Sequence, residues 1–93
     1  MIRSYRDKDT QAIAERRRVR RFPAHIQRRA QVKLMIINNA SNLNDLRVPP
    51  GNRLEALSGD REGQHSVRIN DRWRICFVWD DGDAHQVEIV DYH

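Results

Sequence analysis

The chain has 93 residues, 39% of them hydrophobic and 32% charged, enough for one compact domain that buries roughly 60–65% of its surface on folding and too little for a second core. The formal charge is +4, and it is unevenly spread: residues 1–47 carry 12 Lys/Arg against 4 Asp/Glu, residues 48–93 only 5 against 9. One cysteine, Cys76, excludes an internal disulfide framework, no Cys/His spacing points to zinc, and no apolar run reaches signal-peptide or membrane-spanning length. These features predict a cytoplasmic protein, away from membranes, with no metal or cofactor. The basic first half predicts an affinity for polyanions, since such an excess raises the local phosphate concentration.

In chain order, Met1 to Arg6 alternates weakly, as a short strand would. Asp7 and Asp9 are candidate caps for a helix over about Thr10 to Arg17, because a carboxylate accepts the unpaired amides of a first turn. Pro23 suits the first turn of a second helix, in which Ile26, Ala30, Leu34 and Ile37 recur at spacings of four, four and three and form one apolar stripe. Arg28, Arg29 and Lys33 fall largely off that stripe. The Asn-rich stretch Asn38 to Asp45 ends the pattern, and Pro49-Pro50-Gly51 marks the change to strands.

Arg53 to Ser58 predicts a short strand, Gly59 to Gly63 a loop, and His65 to Asn70 a second strand with Val67 and Ile69 on one face. In Trp73 to Trp79 the odd positions are all large and apolar, which turns them toward the helices and leaves Arg74, Cys76 and Val78 on the opposite face. Asp80 to Asp83, with Gly82, predicts a hairpin. Val87 to Tyr92 predicts the last strand, with Val87 and Ile89 inward. The expected class is α+β, two N-terminal helices on one face of a mostly antiparallel sheet of about four to five strands, all in a single domain over residues 1–93.

Three segments then carry a resemblance over nearly the whole chain: Gly51 to Gly63 (GNRLEALSGDREG), Ile69 to Phe77 (INDRWRICF), and Val87 to His93 (VEIVDYH). In this order they resemble HigB-type host-killing toxins, also called plasmid maintenance system killer proteins, of the RelE/ParE superfamily. The resemblance implies a RelE-like fold, cleavage of mRNA on the ribosome, and a HigA-type helix-turn-helix antitoxin as partner, with operator DNA reached only through that antitoxin.

RNA cleavage by the substrate's own 2′-hydroxyl requires that this hydroxyl be oriented and deprotonated, that charge on phosphorus be stabilised, and that the 5′-oxygen be protonated as it leaves. By resemblance Arg74 is the central arginine, whose fork of donors suits a phosphorane, and Asp91, Tyr92 and His93 are the C-terminal active-site residues. Glu55 stands where some HigB toxins have a histidine. A carboxylate is the intrinsically weaker base, so the identity of the base stays open. Arg68, on the off-core face one strand earlier, is a second candidate phosphate contact or a solvated charge. Arg16, Arg17, Arg18, Arg20 and Arg21 form the densest basic run and a candidate RNA-binding surface. His25, His65 and His85 read as surface or helix-start residues, Cys76 as a strand filler, and Trp73 and Trp79 as core. Two alternatives remain: a ParE-like gyrase inhibitor on the same fold, and a non-catalytic RNA-binding module.

Overall fold

The computed structural model describes residues 1–91. Helix α1 (Lys8–Ala14) is capped by Asp7, whose carboxylate accepts the Thr10 backbone N–H at 2.6 Å. It ends before the predicted Arg17 because Glu15 closes the last turn and Arg16 turns left-handed at φ 65°, which stops helical propagation. Helix α2 (Ala24–Asn39) follows, with Pro23 just outside it at the N-cap and not within its first turn. Its predicted stripe is the core: Ile26, Ala30, Leu34 and Ile37 are all at most 2% exposed.

Two 3₁₀ turns, Leu43–Arg47 and Pro50–Asn52, carry the chain to the sheet. Strand β1 is only Glu55–Ala56, much shorter than predicted, and is followed by β2 (His65–Arg68), β3 (Trp73–Asp80) and β4 (Asp83–Asp91). The spatial order is β1-β2-β3-β4, antiparallel throughout. Strand β4 starts four residues before the predicted Val87. Between Cys76 and Val78 the register slips, since Cys76 faces Glu88 whereas Val78 faces His85. The extra residue on β4, around Gln86 at φ 53°, reverses the inward parity, so Ala84 is buried beside Val87 and Ile89.

The first six residues do not form a strand of their own. Ile2 and Tyr5 make isolated parallel bridges to Ala84 and Val87 on the outer edge of β4. That edge is tied further by the Ile89 N–H, which donates to Thr10 Oγ1 at 3.0 Å. The core lies between the helices and the inner face of the sheet, where Val67, Ile69, Ile75, Phe77, Val87 and Ile89 meet Ile13, Ile26, Leu34 and Ile37. Trp73 and Trp79 pack against it as predicted. His65 differs from its surface reading, since it is half-buried and stacked on Phe77 with ring centroids 6.4 Å apart. No helix among the described residues is long and apolar enough to cross a membrane.

Candidate active site

Strand parity puts Ser66, Arg68, Arg74, Cys76, Glu88 and Val90 on the face of the sheet turned away from the helices. That face is not open. Ser66 and Cys76 are 0% exposed and Arg74 only 7%, and part of the cover comes from the turn after β1, which carries Arg61. Arg61 spans this cover, donating to Gln64 Oε1 and Glu88 Oε1, each at 3.1 Å. Sequence alternation could not reveal the cover, since alternation reports which way a side chain points and not what lies above it.

Arg74 is held firmly. Its Nε donates to Ser66 Oγ at 2.7 Å, and its Nη2 donates to the carbonyl of Arg53 at 2.6 Å and of Ser66 at 3.3 Å. Burying a guanidinium is costly unless its donors are satisfied, and these oxygens supply that satisfaction while fixing the fork in one orientation. The Arg53 carbonyl reaches Arg74 because Arg53 sits in the left-handed region at φ 44°. Ser66 and Arg53 are contributors that the sequence did not single out. Their only sequence signal is the position of Ser66 two residues before Arg68 on the same face.

Arg68 lies directly across from Arg74 in the β2–β3 register and pairs with the carboxylate of Asp71. Glu55 is exposed on β1 opposite Ser66, on the same face and one row along from the Arg68–Arg74 row. These three residues are thus gathered on one sheet face. Asp91 is opposite Trp73 and shares its helix-side parity. Its two carboxylate oxygens accept from Arg72 Nε and Nη2, each at 2.8 Å, and this pairing pushes the Arg72 guanidinium further toward its charged form. Tyr92 and His93 lie outside the described residues.

The run Arg16 to Arg21 joins α1 to α2 and belongs to the helix layer, not to the Arg74 face. Arg17 pairs with Glu15 at 2.6 Å, and Arg21 lies 3.5 Å from Asp9. Among the described residues Arg16, Arg18 and Arg20 have no ion pair. The run approaches the Asp91 end of the sheet through its next residue, Phe22, whose ring meets Trp73 edge-on at 5.6 Å. Burial pushes the Cys76 thiol pKa up, which keeps it protonated and unreactive. No cluster of three or more His, Cys, Asp and Glu suited to a metal occurs among the described residues.

A meander sheet with two N-terminal helices on one face is an architecture shared with solved structures of RelE-like fold. The fold superposes on a YoeB-YefM complex from Staphylococcus aureus with TM-score 0.62 at 16% identity, covering 100% of this chain and 98% of that one. It also superposes on a YafQ mutant from E. coli with TM-score 0.60 at 12% identity, covering 92% and 88%. The family described as "RelE-like toxin of type II toxin-antitoxin system HigB" matches residues 3–93, and the chain belongs to it. Among curated relatives, "Toxin HigB-1" of Vibrio cholerae is 43% identical over 68 residues, 73% of this chain and 72% of that protein. "Endoribonuclease HigB" of Proteus vulgaris is 32% identical over 93 residues, 100% of both.

Proposed function

We propose that this toxin is a ribosome-dependent endoribonuclease that stops translation by cutting mRNA through the RNA's own 2′-hydroxyl, without a metal. The observation that carries the reading is Arg74: a buried guanidinium, fixed by Ser66 and the Arg53 carbonyl at the centre of the sheet and faced by a second arginine, Arg68. A preoriented cation of this kind suits a site where negative charge develops on phosphorus. In the proposed step the 2′-oxygen attacks the adjacent phosphorus as a base takes its proton. Arg74 and Arg68 receive the added charge, and the 5′-oxygen departs with a proton from an acid. The products are a 2′,3′-cyclic phosphate and a 5′-hydroxyl end. Glu55 is the base candidate on the described face, while Asp91, Tyr92 and His93 are the family-matched candidates for proton transfer and base stacking.

The partner is a HigA-type antitoxin, supported by membership of a toxin-antitoxin family. A groove of about 250 Å³ on the helix side, where Ile2, Tyr5, Val32 and Met35 meet Arg16, Gln31 and Asn38, offers a mixed apolar and polar seat away from Arg74. Val32 and Met35 are 44% and 50% exposed there.

The test is to map new mRNA 5′ ends on translating ribosomes with the wild type and with Arg74→Lys, which keeps the charge and loses the fork. Cleavage is expected to fall by roughly 10²–10³, the effect of losing one donor aimed at the developing charge, with growth arrest lost in parallel. Because Arg74 also ties β3 to β2, circular dichroism of the variant must first show a folded protein. Undiminished cleavage by a folded Arg74→Lys protein would sink the assignment. DNA damage without mRNA cleavage by the wild type would replace it with gyrase inhibition.

A further inference from the structure

We propose that Arg72, in the turn between β2 and β3, is a positioning residue for the cleavage reaction: its fork clamps the Asp91 carboxylate and so fixes the end of β4 directly before Tyr92 and His93. This rests on the ribonuclease reading above and gives Asp91 the part of an anchor, leaving proton transfer to other groups.

The clamp begins in the turn. Asn70 Oδ1 accepts the backbone N–H of Arg72 at 2.9 Å and of Trp73 at 2.8 Å, and the Trp73 carbonyl accepts the N–H of Ile69 at 2.9 Å and of Asn70 at 3.2 Å. A short polar side chain that binds the backbone two residues on closes a turn in one shape. The Arg72 backbone is thus held independently of its side chain. From there Arg72 Nε and Nη2 donate to the two oxygens of Asp91, each at 2.8 Å. A single bond would leave the carboxylate free to rotate, whereas two parallel ones fix its plane as well as its position.

Asp91 needs that fixing because of where it stands. Trp73 is the first residue of β3, so its pairing with Asp91 is the last rung of the β3–β4 ladder among the described residues. The rung before it joins Arg74 to Val90. β3 offers no residue beyond Trp73, and the direction of β4 at this point is set by side chains. Parity turns Asp91 away from the Arg74 face, and Arg72 engages both of its oxygens. That arrangement fits an anchor better than a group that passes a proton to or from RNA. The Arg72 side chain is 63% exposed, and an exposed ion pair contributes little to stability. The consequence of this pair is therefore geometric: misplacing a reacting group by about 1 Å can cost about 10² in rate.

The test is a double-mutant cycle in steady-state cleavage on programmed ribosomes, with wild type, Arg72→Gln, Asp91→Asn and the double variant. Unchanged Tm is checked first. Each single change is expected to lower kcat by roughly 10- to 10²-fold with KM kept. The double variant is expected to be no slower than the slower single one, because the two residues act as a unit. Arg72→Lys, which keeps the charge but not the fork, is expected to fall between wild type and Arg72→Gln. A readout apart from cleavage is the Arg72 Nε–H signal in the heteronuclear NMR spectrum, whose exchange with water is expected to be slower in wild type than in Asp91→Asn. Losses that multiply in the double variant overturn the proposal, as does a raised KM at unchanged kcat, which would make Arg72 an RNA contact. Asp91→Asn cleaving at the wild-type rate, or equal Nε–H exchange in the two proteins, overturns it too. Failure of the ribonuclease reading is separate: wild-type protein then makes no new mRNA 5′ ends, while the Nε–H comparison still decides whether the clamp exists.

Discussion

Cys76 and Arg74 are two residues apart on the same face of β3, and both are almost completely buried, yet burial acts on them in opposite ways. The guanidinium stays charged because Ser66 and the Arg53 carbonyl surround it with acceptors. For the thiol, desolvation outweighs the pull of Arg61 and Arg74 on its charged form and raises its pKa. A raised pKa means the thiolate is withheld until the pH climbs past the ordinary cysteine range. At pH 8 iodoacetamide is therefore expected to leave the native protein unmodified and to alkylate it stoichiometrically in guanidinium chloride, as mass spectrometry would read. Rapid native labelling would mean that the cover over this face opens easily. The arginine was legible in the sequence because an odd-even alternation of large apolar residues singles out the even positions. Its anchors were not, since a carbonyl at residue 53 carries no side-chain signature.

Among the elements, α2 and β3 could be read from periodicity, because each sends one continuous apolar stripe into the core, whereas α1 was legible from its Asp7 cap. Strand β4 could be read only from Val87 onward. The bulge near Gln86 reverses which residues point inward, and a period-2 pattern stops being visible where its phase changes. The brevity of β1 was also hidden, since two residues of pairing are fixed by the partner strand and not by local preference. The join between α1 and β4 is a similar long-range device. Thr10 is fully buried; its hydroxyl donates to Asp7 Oδ2 at 3.1 Å and accepts from the Ile89 N–H at 3.0 Å. Thr10→Val keeps the shape and removes both bonds, leaving a buried amide unsatisfied. It is expected to cost about 1–3 kcal/mol, measured by urea denaturation, with cleavage retained in the folded fraction. A loss near zero would mean that water reaches the Ile89 amide.

Over the whole molecule, charge is divided by layer. The helix layer carries the run Arg16 to Arg21, and the opposite sheet face carries Arg68 and Arg74, so the total positive charge read from composition resolves into two separate surfaces. Within the run, Arg17 and Arg21 are matched by Glu15, Asp7 and Asp9, which weakens their pull on an outside polyanion. Neutralising Arg16, Arg18 and Arg20 is therefore expected to flatten the salt dependence of ribosome binding by about 0.7–0.9 in slope per charge, and neutralising Arg17 and Arg21 by less. Equal effects would show that the pairs dissociate on binding. The parallel bridges of Ile2 and Tyr5 to Ala84 and Val87 bear on how such a protein is made. Ile2 and Tyr5 find their place only on a strand far along the chain from them, and α1 is fastened to that same strand through Ile89. Until β4 is made, the helices have no finished sheet beneath them and β3 lacks its neighbour on one side. The face that carries Arg74 and Arg68 is therefore backed by a complete sheet only once β4 has paired with β3, so a single late pairing fixes the first residues, α1 and this face together.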